Sequence, residues 1–142
     1  MAKVFIDTNI LVYSLDQSNV DKQDKCRSLL RKLTTTDLKG VISTQVMQEF
    51  YVAATRKLGA DPLLTKDILH SFERFEVVII SPHLIKEAVD CSVINRLSFW
   101  DSLLVVAGES AHCERLWTED LNHGQTIRGV LIENPLLQND RP

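Results

Sequence analysis

Short apolar runs alternate with helix-period segments along nearly the whole chain. Val4-Phe5-Ile6 reads as a first buried strand and residues 9–15 as a short helix. From 21 to 33 the apolar residues Cys26, Leu29, Leu30 and Leu33 recur at helical spacing. Gly40-Val41-Ile42 predicts a second strand, with Ser43 or Thr44 capping a helix that reaches 58–59. Asp61-Pro62 and Ser81-Pro82 are cap-plus-proline signals opening helices to about 72 and 95. Between them, residues 75–80 form a β-branched strand. Ser98 caps a helix over 100–111, and Leu116-Trp117-Thr118 and Val130-Leu131-Ile132 supply two last strands.

Strands that alternate with helices and are apolar on both faces indicate a parallel sheet covered by helices. The expected fold class is therefore α/β, a three-layer α/β/α sandwich around a short, mostly parallel central sheet. One domain over residues 1–135 is expected, followed by a loosely held tail at 136–142. Ligands of such sheets sit at the carboxyl ends of the strands, so chemistry is sought there.

With 142 residues, 44% of them hydrophobic, the chain is long enough to bury a substantial core. No apolar stretch approaches the ~20 residues that span a bilayer, and Lys3 leads straight into a strand without a signal region. A cytoplasmic location without membrane attachment is expected. Cys26, Cys91 and Cys113 are an odd set without a C-x-x-C pair, so neither a disulfide framework nor a zinc ribbon is indicated; each falls in a helix-like stretch as a small core residue. The four histidines are scattered structural or surface residues. A net charge of −3 argues against a general nucleic-acid coat, although basic stretches remain at Lys22–Lys32 and at Arg56-Lys57.

Four carboxylates stand where an acid is expensive unless something uses it. Asp7 ends Val4-Phe5-Ile6, and Glu49 interrupts Val46-Met47-Gln48-Glu49-Phe50-Tyr51-Val52. Asp101 lies between Phe99-Trp100 and Ser102-Leu103-Leu104, and Asp120 follows Leu116-Trp117-Thr118-Glu119. Each has a plain explanation. Asp7 caps a helix, Ser98 and Asp101 form a capping box, Glu49 is a partly exposed helix residue, and Asp120 belongs to a turn. Gathered at one sheet edge, the four make an oxygen-only pocket suited to Mg²⁺ or Mn²⁺.

The blocks Val4-Phe5-Ile6-Asp7-Thr8-Asn9, Ser43-Thr44-Gln45-Val46-Met47-Gln48-Glu49, Ser98-Phe99-Trp100-Asp101-Ser102 and Leu116-Trp117-Thr118-Glu119-Asp120 follow one another in order. This ordered set resembles the PIN-domain ribonucleases, and the chain is most similar to VapC-type toxins of bacterial toxin–antitoxin pairs. The resemblance implies one or two Mg²⁺ or Mn²⁺ ions ligated by Asp7, Glu49, Asp101 and Asp120, with Asn9 and Thr118 as polar support. Thr-x-Asp spacing selects Asp120 over Glu119, which is expected to face solvent. The implied reaction is hydrolysis of RNA phosphodiester bonds by a metal-activated water, leaving a 3′-hydroxyl and a 5′-phosphate. Transfer or ribosomal RNA is the implied substrate, with Arg56, Arg96 and Arg128 as candidate contacts. A cognate antitoxin placing a basic residue in the acidic pocket, and a homodimer, are the implied partners.

Rival classes fit less well. A haloacid-dehalogenase phosphatase needs a second Asp two residues after Asp7, where Asn9 stands, and a signalling receiver needs an acidic pair and a later acceptor Asp. The remaining alternative is a catalytically silent PIN-like module that binds RNA or protein. Loss of a ligand position is its mark, and all four acids are present.

Overall fold

The computed structural model describes residues 2–137; most of the expected tail, 138–142, lies outside the described residues. Its elements are β1 (Lys3–Ile6), α1 (Thr8–Tyr13), α2 (Val20–Thr35), β2 (Lys39–Ser43), α3 (Thr44–Arg56), α4 (Pro62–Ser71), β3 (Glu76–Val78), α5 (Pro82–Asn95), α6 (Phe99–Ser110), β4 (Arg115–Trp117), β5 (Thr126–Ile127) and β6 (Val130–Glu133), with one 3₁₀ turn at Phe72–Arg74. The sheet order is β3-β2-β1-β4-β6-β5, parallel throughout except for the β5–β6 pair. The expected α/β sandwich with a mostly parallel sheet is what forms.

Alternation along the strands decides which helix each face carries. Phe5 points at α6, where a methyl group on Gly108 would come within 3.3 Å of the Phe5 Cβ. Val4 is paired with Gly40 and points the other way. On that face a methyl on Gly40 would meet the Phe75 ring at 2.8 Å and Leu33 of α2 at 3.0 Å. Helices α2 and α6 therefore cover opposite faces of the central strands. α6 is buried along Ser102–Gly108 without a break, as a helix enclosed by sheet on one side and α5 on the other must be. Phe50 of α3 meets Phe72 edge-on at 4.8 Å and closes the other layer. Each such fully buried apolar side chain contributes about 1.5–3 kcal/mol.

The local cap signals act as read. Ser43, Asp61, Ser81 and Ser98 each accept a hydrogen bond from a backbone N–H of the helix they open. Four points differ from expectation. β3 ends at Val78 rather than 80, because its partner β2 ends at Ser43, which pairs with Val78 and then caps α3. Ile79 is left exposed and Ile80 N–H donates to Thr44 Oγ1 at 3.1 Å. The two-residue strand β5 was not anticipated; it returns antiparallel on β6 through Arg128-Gly129, both at positive φ, as tight hairpins require. Cys113 lies in the loop before β4 rather than in a helix, buried as Cys26 and Cys91 are. Leu136, assigned to the tail, packs against the core.

Candidate active site

β1 and β4 are parallel neighbours, and their carboxyl ends deliver two of the acids side by side. Asp7 N–H continues the ladder by donating to Trp117 O at 3.0 Å, and Thr118 N–H donates to Glu133 O at 3.1 Å. Asp7 is also the N-cap of α1, accepting from Thr8 N–H at 2.6 Å. Its other oxygen accepts from the buried Thr118 hydroxyl at 2.8 Å, and that same hydroxyl oxygen accepts from Asp120 N–H at 3.1 Å. One threonine thus ties the turn that carries Asp120 to Asp7.

Glu49 stands in the second turn of α3, held by the Thr8 hydroxyl at 2.9 Å and by the Gln45 amide, one turn earlier, at 3.2 Å. The Gln45 amide also reaches Trp100 O at 3.4 Å, which links α3 to the start of α6, and its Oε1 has no hydrogen-bond partner among the described residues. Asp101 lies in the first turn of α6, where Ser98 Oγ accepts its N–H at 3.0 Å. Asn9 donates to Asp120 at 3.4 Å. All four carboxylates and Asn9 line one open cleft of about 640 Å³, together with Gln45, Gln48, Arg56, Lys57 and Trp100.

Burial dominates the electrostatics. Asp7 is only 3% exposed, and desolvation pushes its pKa from 3.8 up to about 7. Thr118 and Thr8 pull it back by hydrogen bonding, while Asp120 and Glu49 add repulsion. Asp120, at the exposed rim, is raised by partial desolvation, then by Asp101 and Glu119. Among the described residues no lysine, arginine or histidine forms an ion pair with any of the four.

Glu119 does not face solvent as expected. It accepts a hydrogen bond from the Tyr13 hydroxyl and pairs with Lys22 at 3.3 Å, the lysine nitrogen standing 4.5 Å from the Tyr13 ring centre. Adjacent acids therefore point apart, Asp120 into the cleft and Glu119 into this cluster behind it. Of the three candidate arginines only Arg56 reaches the cleft. Arg96 caps the far end of α5 in a left-handed conformation, and Arg128 is held by Glu87 at 2.8 Å and Glu109 at 3.0 Å. Charge neutralised by two glutamates is poorly placed to grip phosphate. Lys57 was noted only as part of a basic stretch, and Gln45 and Trp100 were not singled out from the sequence, although Gln45 at one helical turn from Glu49 is a readable signal.

The PIN domain family profile matches residues 4–127. The chain belongs to the PIN-domain family. The PIN domain is also similar to solved structures. A toxin–antitoxin complex from Klebsiella pneumoniae is 20% identical, covers 93% of this chain and 97% of its own, and superposes with a TM-score of 0.64. The sarcin–ricin-loop-cleaving toxin VapC20 of Mycobacterium tuberculosis is 13% identical over 82% of this chain and 89% of that one, with a TM-score of 0.67. VapBC2 from Rickettsia felis, bound to a promoter DNA fragment, is 16% identical over 92% and 97%, also at 0.67. At these identities the likeness is one of fold. No curated protein matches the chain in sequence.

The residues present suit a hard divalent ion. The donors are all oxygen, they repel one another, and among the described residues no side-chain cation pairs with them. As placed, and among the described residues, no three acids, histidines or cysteines stand close enough together to hold an ion, so binding would draw the carboxylates in. Oxygen donors suit Mg²⁺ or Mn²⁺, which keep several of their waters and take only one or two carboxylates directly.

Proposed function

We propose that this PIN domain is a Mg²⁺- or Mn²⁺-dependent endoribonuclease, the toxin of a VapC-type toxin–antitoxin pair. The observation that carries the reading is the convergence of Asp7, Glu49, Asp101 and Asp120, from four separate elements, on one cleft at the carboxyl edge of the sheet. Asp7, Glu49, Asp101 and Asp120 would hold one or two ions. A bound ion supplies activation of water and neutralisation of phosphate charge.

The chain's own groups do the positioning. Thr118 fixes Asp7 and the Asp120 turn together, Thr8 and Gln45 hold Glu49 from two sides, and Asn9 orients Asp120. The low exposure of Asp7 keeps bulk water from competing for its carboxylate. No Ser-His-Asp or Cys-His set lines the cleft among the described residues, so attack by water without a covalent intermediate is the fitting route.

Transfer or ribosomal RNA is the proposed substrate, which places the work in the cytoplasm; no helix among the described residues is long and apolar enough to cross a membrane. An antitoxin is the proposed protein partner, in keeping with the complexes to which the fold is similar. A homodimer is proposed as well, on the exposed apolar row Ile85, Val89 and Val93 along α5. The deciding experiment is cleavage of total cellular RNA by the purified protein and by Asp7→Asn, with Mg²⁺, Mn²⁺ or chelator. Discrete metal-dependent fragments from the parent alone support the nuclease. Equal cleavage by both, or cleavage in chelator, overturns it, and a parent that binds RNA without cutting it is instead the silent module.

A further inference from the structure

The lining of the cleft is chemically mixed. Besides the four carboxylates it carries Arg56 and Lys57, at the C-terminal end of α3. Glu49 and Arg56 lie on one stripe of α3, two helical turns apart, which is about 10 Å along the axis. That distance puts the two cations on a phosphate flanking the one at the acids rather than on the same phosphate. Trp100 lines the cleft beside Asp101 and is 61% exposed, unusual for a large aromatic side chain at the start of a helix buried from Ser102 to Gly108. Its ring is supported edge-on by Phe99 at 5.2 Å and 76°, and its carbonyl is tied to Gln45. Most of the indole surface is left open beside the cleft it lines.

Resting on the nuclease reading above, we infer that Trp100 is the stacking platform for an unpaired base next to the scissile phosphate, with Arg56 and Lys57 gripping the flanking phosphate. A positively charged groove combined with an aromatic platform is the arrangement that binds single strands. Bases inside a duplex are stacked on their neighbours and do not present a free face to such a ring. A platform of this kind takes a base that is unstacked from its neighbours. The pairing of acids with cations 10 Å apart, about two helical turns, favours a polyanion threaded along the cleft over a neutral protein surface.

Two tryptophans make the test direct, because Trp117 is buried and Trp100 is not. Intrinsic fluorescence of the cleavage-dead Asp7→Asn protein is followed in Mg²⁺ on titration with a short mixed-sequence RNA strand, and with the same strand annealed to its complement. The single strand is expected to quench Trp100 and the duplex to leave it nearly unchanged. Added Trp100→Ala weakens single-strand binding on the order of tenfold, with Trp100→Phe recovering much of it. Arg56→Ala with Lys57→Ala weakens binding of all sequences and flattens its salt dependence. Absence of quenching, equal quenching by duplex, or unchanged binding by Trp100→Ala overturns the platform, as does a Trp100→Ala protein that keeps RNA affinity but loses a protein partner. Cleavage by the parent sequence is measured beside it. Metal-dependent cutting that Trp100→Ala leaves intact refutes the platform alone, whereas quenching without any cutting refutes the nuclease alone.

Discussion

Replacing Asp7 with Asn should stabilise the metal-free protein, and the gain should depend on pH. The folded chain holds the Asp7 proton up to about pH 7, an unfolded chain only to about 3.8. Folding is therefore least burdened at low pH, where the carboxyl is protonated in both states. The penalty opens as pH rises past 3.8 and is complete above about 7. The gap corresponds to about 4 kcal/mol at pH 8 and to less than about 1 kcal/mol at pH 4. Asn carries no such charge. It keeps an oxygen for Thr8 N–H but turns an amide toward Thr118, whose hydroxyl already accepts from Asp120 N–H. Stranding that hydroxyl proton gives back about 1 kcal/mol, so a net gain of roughly 2–3 kcal/mol remains at pH 8. For a chain of this size that is on the order of 10 °C in Tm. Thermal unfolding of both proteins in chelator, from pH 4 to 8, measures it. A Tm difference that stays constant across this range would refute the assignment of a raised pKa to Asp7.

Three further outcomes are expected. Thr118→Val removes the donor to Asp7 and the acceptor for Asp120 N–H, so denaturant unfolding should show a loss of about 1–3 kcal/mol and Asp7 should titrate still higher by NMR. Tyr13→Phe releases Glu119 from its hydroxyl partner; amide exchange over 118–121 should quicken and metal-dependent cleavage fall about tenfold with little change in Tm. Gly40→Ala drives a methyl into the Phe75 ring and Leu33, and chemical denaturation should register a loss of about 1–3 kcal/mol while cleavage by the folded fraction is unaltered.

What could be read from the sequence was what is encoded locally. Helix starts at Ser43, Asp61, Ser81 and Ser98 were legible because a cap and its helix lie within four residues of each other. The end of β3 was not, because it is set by where β2 stops, more than thirty residues earlier. The β-branched run through Ile79-Ile80 has strand propensity but no partner to pair with. Strand β5 is two residues long and polar at Thr126, below what any periodicity can reveal. The four acids were readable as costly positions, each with its own plain role as cap or turn. Those plain roles hold alongside the shared cleft: Asp7 does cap α1, Glu49 is half-buried, Asp120 lies in a bend, and Ser98 accepts the Asp101 N–H, although among the described residues the Asp101 carboxylate makes no return bond to Ser98. The direction of Glu119 depended on Tyr13 and Lys22, about a hundred residues away, and the diversion of Arg128 on Glu87 and Glu109. Sequence alone ranks arginines by charge; only tertiary placement shows which charge is already taken.

Gly108 gives the cleft a remote adjuster. Here the backbone of α6 lies directly on the Phe5 side chain of β1, close enough that a methyl on Gly108 would come within 3.3 Å of the Phe5 Cβ. Asp101 rides the other end of the same buried rod, seven residues or about 10 Å away, and Asp7 sits at the end of β1 itself. A helix pinned at its far end by a glycine acts as a lever, and a few tenths of an ångström at the pivot become a change in the separation of two carboxylates. Sequence drift at an uncharged position outside the cleft can thus retune the span available to an ion, and a mutagenesis screen confined to the acids would never find it.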